Sequence, residues 1–170
     1  MLLSKGLDMA KPGKPIPDGY HSVTPYLTVH NAAEAIDWYK RAFGAEEIAR
    51  MPGPDGKSVM HAEIKIGNSI VMLGDEWPMG EQKAPKTLSG TSVGMMIYLQ
   101  DVDAALQKAV AAGAKVVMPA TDMFWGDRYA KVSDPYGHHW ALATHKLDMS
   151  LEEIEKGQKE FMANMGKDCQ

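Results

Sequence analysis

The chain has little cysteine, no long apolar run and no block of like charge. Its one cysteine, Cys169, lies next to the C-terminus. That excludes an intrachain disulfide framework and any CxxC metal or redox motif. A single thiol fits a reducing compartment, so we expect a cytoplasmic protein. No apolar run approaches the roughly 20 residues of a membrane span, and Met1–Leu3 is too short for a signal-peptide core. No five or six like charges follow one another, and the net charge is only −4 over 170 residues. We therefore expect neither nucleic acid nor a membrane as partner. The phosphate loops GxGxxG and GxxxxGK and the nucleophile elbow GxSxG are also missing.

What is there is an ordinary globular mix, 45% hydrophobic and 24% charged, enough for one domain or two halves sharing a core. Residues 1–22 begin with three prolines and three glycines within MLLSKGLDMAKPGKPIPDGY and read as an extended tail. Regular patterning starts at Val23. Thr24–Val29 reads as a strand with Pro25 near its start. Asn31 and Glu34 stand as a capping box, Ala32, Ala35, Ile36, Tyr39, Ala42 and Phe43 form a helical stripe, and Gly44 stops it. Glu46–Met51, the strictly alternating His61–Ile66 and Ser69–Leu73 read as three strands, the last two joined by Gly67-Asn68, which suits a type II′ turn. Residues 75–90 break the pattern and read as a linker.

The order then repeats. Val93–Leu99 is a strand and Asp101 a cap. Val102, Ala105, Leu106, Ala109 and Val110 form a stripe that Gly113 ends. Lys115–Pro119, Asp127–Ser133 and His138–Thr144 are strands. Asn31 and Asp101 lie 70 residues apart, Gly44 and Gly113 lie 69 apart, and Gly67 and Gly137 lie 70 apart. Three independent marks at one spacing indicate a duplicated unit. We therefore expect an α+β fold of two βαβββ modules, residues 23–74 and 91–146, forming a curved mixed sheet with helices outside. Residues 147–170 follow as an extra C-terminal helix and tail. Within it Ser150 and Glu153 form a capping box, and Leu151, Ile154, Phe161, Met162 and Met165 share an apolar face that needs a surface to cover.

Four stretches carry a family likeness: PYLTVHNAAEAIDWYKRAFGAEE (25–47), MHAEIKIGNSIVMLGDE (60–76), MIYLQDVDAALQKAVAAGAKVVMP (96–119) and FWGDRYAKVSDPYGHHWALATH (124–145). In these the chain resembles the vicinal oxygen chelate superfamily, which holds glyoxalases, extradiol dioxygenases and bleomycin-binding proteins, and within it the PhnB-like branch. The resemblance implies two U-shaped sheets, a small-molecule ligand and a homodimer. It also implies where a divalent metal would sit in metal-dependent members: on the first and last strand of each module. Those positions fall on Thr24 or Pro25, Met72, Ser92 and Ala141, none of them a histidine or a carboxylate. No cofactor is expected from the family pattern.

Strand alternation selects other candidates. If Ile66 pairs with Ser69, then Glu63 pairs with Met72 and His61 with Gly74, so Ala62, Ile64, Ile66, Val71 and Leu73 pack under the helices. His61, Glu63, Lys65, Ile70 and Met72 then face the cavity. Trp125, Asp127, Tyr129 and Lys131 alternate together, as do His139, Ala141 and Ala143. The ligand-binding candidates are Tyr26, Met72, Met96, Trp125, Asp127, Lys131 and His139. His61 beside Glu63 suits a general base, with Tyr129 as a further catalytic candidate; the alternative is a polar pair on a sheet face without a catalytic role. Three readings follow: a protein that sequesters an aromatic or amphipathic ligand, a metal-independent isomerase or lyase with His61 as base, and a metalloenzyme with displaced ligands such as His61, Glu63 and His139.

Overall fold

The structure, a computed structural model, describes residues 13–165. Chain order is β1 (Tyr26–Val29), α1 (Ala32–Phe43), β2 (Glu46–Pro52), β3 (Val59–Ile66), β4 (Ser69–Asp75), α2 (Pro85–Leu88), β5 (Gly94–Tyr98), α3 (Val102–Ala111), β6 (Lys115–Asp122), β7 (Asp127–Ser133), β8 (His139–His145) and α4 (Leu151–Met165). The strands form two four-stranded sheets, β1-β4-β3-β2 and β5-β8-β7-β6. Each joins a parallel pair to two antiparallel ones. The two orders are the same permutation four strands apart, so the duplication is a duplication of topology. The fold is α+β, of the glyoxalase and bleomycin-resistance type, with an additional C-terminal helix.

The β3–β4 register follows the alternation: Ile66 opposite Ser69, Glu63 opposite Met72, Ala62 opposite Leu73. Ala62, Ile64, Ile66, Val71 and Leu73 are buried on one face. Gly67 has φ 60° while Asn68 is not at positive φ. That is the type II′ pattern, which only glycine enters at no steric cost.

Two sequence expectations change. Asn31 precedes α1 in a left-handed conformation and makes no side-chain cap. The first helical amide is instead bound by Asp75 at the end of β4, Ala32 N to Oδ1 at 2.8 Å, while its Oδ2 takes Val59 N at 2.7 Å. One carboxylate thus ties helix, β3 and β4 together. Residues 75–90 are also more ordered than a plain linker. Asp75 ends β4, and Glu76 draws the segment back by accepting from Ala84 N and Thr87 Oγ1, both at 2.6 Å. The other caps form as read: Asp101 accepts from Ala104 N, and Ser150 and Glu153 bond reciprocally.

The core spans both modules because α1 reaches the second sheet. Tyr39 and Phe43 pack on Trp140 of β8 with ring centroids 5.4 and 4.9 Å apart, and Trp38 Nε1 donates to Ala112 O beyond α3 at 2.8 Å. Asp134, before the β7–β8 turn, accepts from Tyr39 Oη, Trp140 Nε1 and the amides of Tyr136 and His138 at 2.7–2.9 Å. A buried carboxylate with four donors is satisfied, and it fixes the joint between modules. The helices cover one face of each sheet. The opposite faces are left open. Among the described residues no helix is long and apolar enough to cross a membrane.

Candidate functional site

The open face of the first sheet brings together Tyr26, His61, Glu63 and Met72. Met72 stands opposite Tyr26 across the parallel pair and opposite Glu63 across the antiparallel one. His61 Nε2 lies 3.2 Å from Glu63 Oε1, and its Nδ1 lies 3.4 Å from the Tyr26 hydroxyl. The Tyr26 and His61 rings are tilted at 37° with centroids 5.6 Å apart. Tyr20, from the segment before β1, donates to Glu63 Oε2 at 2.5 Å. That bond and the one from His61 favour the carboxylate form and hold Glu63 below its ordinary range. The same contact raises the Tyr20 phenol, and burial raises that of Tyr26.

The open face of the second sheet gathers a different set. Asp127 is only 3% exposed. It accepts from Trp125 Nε1 at 3.0 Å and from Tyr98 Oη at 3.2 Å, and its Oδ1 lies 2.7 Å from His145 Nδ1. Trp125 stands edge-on to Tyr129, centroids 5.7 Å apart. Lys131 is paired with Ala141, which is opposite Met96, and His139 lies at the start of the same face opposite Gly94.

Among the described residues no hydrogen bond or ring contact links a candidate on the first sheet to one on the second. Tyr129 makes no such contact with His61; it packs on Trp125. His61 and Glu63 are separated from His139 in the same way, and no group of three or more His, Cys, Asp or Glu among the described residues is placed to hold a metal ion. A cleft of about 570 Å³ lies between the two halves, where His21, Pro25 and Ile70 meet Met96, Tyr98 and Trp140. Smaller clefts of about 280 and 360 Å³ flank Tyr26. Three contributors were not among the expected site residues. Tyr98 and His145 lie on the alternation of Met96 and of His139, so the signal existed. Tyr20 lies in a tail read as outside the domain, and nothing in the pattern marked it.

Comparison with known proteins gives the arrangement a family. The model of the Glyoxalase/Bleomycin resistance protein/Dioxygenase superfamily matches residues 19–142. The chain belongs to that superfamily. The uncharacterized protein Rv0887c of Mycobacterium tuberculosis is 44% identical over 137 residues, 79% of this chain and 80% of that one. Among solved structures, the Arabidopsis thaliana gene product At5g48480 is 28% identical with a TM-score of 0.61, covering 72% of this chain and 98% of that one. TnmS3, an antibiotic binding protein from Streptomyces sp. CB03234, shares the fold at 24% identity and a TM-score of 0.55, covering 74% and 96%.

The resemblance implies metal positions at Thr24 or Pro25, Met72, Ser92 and Ala141. Met72 is opposite Tyr26, and Ala141 is opposite Met96. Thr24, Pro25 and Ser92, the first-strand positions expected from sequence, precede β1 and β5. Thr24, Pro25, Met72, Ser92 and Ala141 offer no imidazole or carboxylate, so they do not fit the set that binds a hard divalent ion.

Proposed function

We propose that this protein binds a small aromatic or amphipathic molecule against the open sheet faces and sequesters it without the superfamily's metal. The observation that carries this reading is the surface left by the helices. Tyr26 is 40% exposed, Met96 46% and Tyr98 63%, side by side with polar groups fixed by hydrogen bonds. Aromatic rings and methionines around a few oriented polar groups are the make-up of a ligand wall. The superfamily fold shared with TnmS3, described as antibiotic binding, supports the same class of ligand. A dimer would complete the groove, and an intracellular place remains our expectation.

A thermal-shift screen against antibiotics and aromatic metabolites, run with EDTA and with added divalent ions, tests this. We expect ligands that raise Tm by several degrees equally in both conditions, since a ligand at 100 times its Kd adds about 2.7 kcal/mol of stability. Stabilisation that appears only with metal would overturn the metal-independent reading. A second reading, turnover with His61 as base, is favoured by the 3.2 Å His61–Glu63 contact. It requires His61→Ala to abolish turnover while leaving ligand binding nearly intact.

A further inference from the structure

Residues 13–24 precede β1, yet they cover part of the first open face. Ile70 faces the open side but is only 8% exposed, and a Cβ on Gly19 would lie 3.8 Å from its Cδ1. Tyr20 reaches over the same face to Glu63. The other hydrogen bonds of this segment among the described residues close within it: Lys14 to Asp18, Tyr20 N to Pro17 O, and Thr24 Oγ1 to His21 O. Val23 is 83% exposed. One phenol therefore anchors an otherwise loosely attached strap.

What that phenol meets is a prepared receptor. Glu63 keeps Oε1 for His61, which is in turn oriented by Tyr26, and offers Oε2 outward. On the same face stand the Tyr26 and His61 rings and Met72, with Lys65 and Ile70 as the next pair along the strands. A neutral O–H donor on a flat apolar body suits this place. An ammonium donor would lose hydration against the apolar side chains while His61 already serves the carboxylate.

We propose that Tyr20 is an internal stand-in for the ligand, and that the first open face takes a phenolic hydroxyl on Glu63 by displacing Tyr20. This rests on the reading of the open faces as ligand walls and names the ligand chemistry of one of them. Binding is then a competition, and the apparent affinity is reduced by the fraction of molecules in which the strap is closed.

The test is a calorimetric titration of the full chain with p-cresol, 4-methylanisole and benzylamine, for wild type, Tyr20→Phe and Glu63→Gln. Tyr20→Phe keeps the ring and removes only the competing hydroxyl. It should bind p-cresol at least three-fold tighter than wild type, with 4-methylanisole and benzylamine at least ten-fold weaker than p-cresol. Glu63→Gln should lose that preference. An unchanged or weaker p-cresol affinity in Tyr20→Phe, or equal binding of either control compound, overturns the proposal. If larger aromatic ligands still stabilise the protein in the thermal screen, that result removes the phenol receptor and leaves the binding function standing; if nothing binds in either experiment, both fall.

Discussion

His145 ends β8 with both ring nitrogens engaged, Nε2 at 2.9 Å from Asp148 and Nδ1 at 2.7 Å from Asp127. Hydrogen bonds to Asp148 and then to Asp127 favour the imidazolium, and its pKa lies above the ordinary histidine value. A raised value means that the folded chain holds the proton more tightly than the unfolded one. The stabilisation is complete below the unfolded value of about 6.5 and is lost as pH rises through the folded value. His138 has the opposite sign: burial lowers its pKa, so protonation costs stability as pH falls. Subtracting a variant isolates one from the other. We expect wild type to melt higher than His145→Gln at pH 6, and the gap to shrink by pH 9 in calorimetric scans. The His145 ring protons should titrate with a midpoint above 6.5 by NMR. A midpoint at or below that value would count against the double ion pair.

Between strand and helix, the informative element is the start of α1. From sequence, Asn31 with Glu34 looked like its cap, because local patterns record only neighbours in the chain. The group that satisfies the first turn is Asp75, 43 residues away and brought in by the β1–β4 pairing. Removing it strands two amides, those of Ala32 and Val59. Asp75→Ala should lower stability by about 2 kcal/mol in urea titrations. Asn31→Gly should stay within about 0.5 kcal/mol, since φ is 63° there and glycine takes that conformation without strain. Equal losses in the two variants would return the capping role to Asn31. The same distinction explains what the chain reveals of itself. The duplicated order, the β3–β4 register and the caps at Asp101 and Ser150 are local or periodic, and they were legible. The Asp75 tie, the true starts of β1 and β5, and the Tyr20–Glu63 contact depend on which distant segments meet, and no periodicity encodes them.

At the scale of the molecule, the fold leaves two open faces that differ in kind. The first presents an imidazole, a carboxylate and a phenol; the second presents Met96, Tyr98 and the Asp127 network. Within one chain they meet at the cleft where Ile70 faces Met96 and Tyr98, but no hydrogen bond or ring contact among the described residues joins them. A two-fold partner can do so, because in an isologous pair the contact of first face on second face occurs twice and leaves neither exposed. It would bring Tyr26, His61 and Glu63 across from Tyr98 and Tyr129 and turn two half-walls into a groove. The apolar face of α4, where Leu151 and Met162 are also exposed, would add to the area, and a stable pair needs roughly 1,600 Å² in all. Light scattering after size exclusion at about 10 μM should therefore give close to twice the 18.6 kDa chain mass. Tyr98→Glu, which places a charge on the second face, should yield a folded monomer that has lost the ligand-induced rise in Tm. If that variant still pairs, the contact lies elsewhere. If wild type is itself a monomer that binds ligand, the site must be the cleft between Ile70 and Tyr98 within one chain.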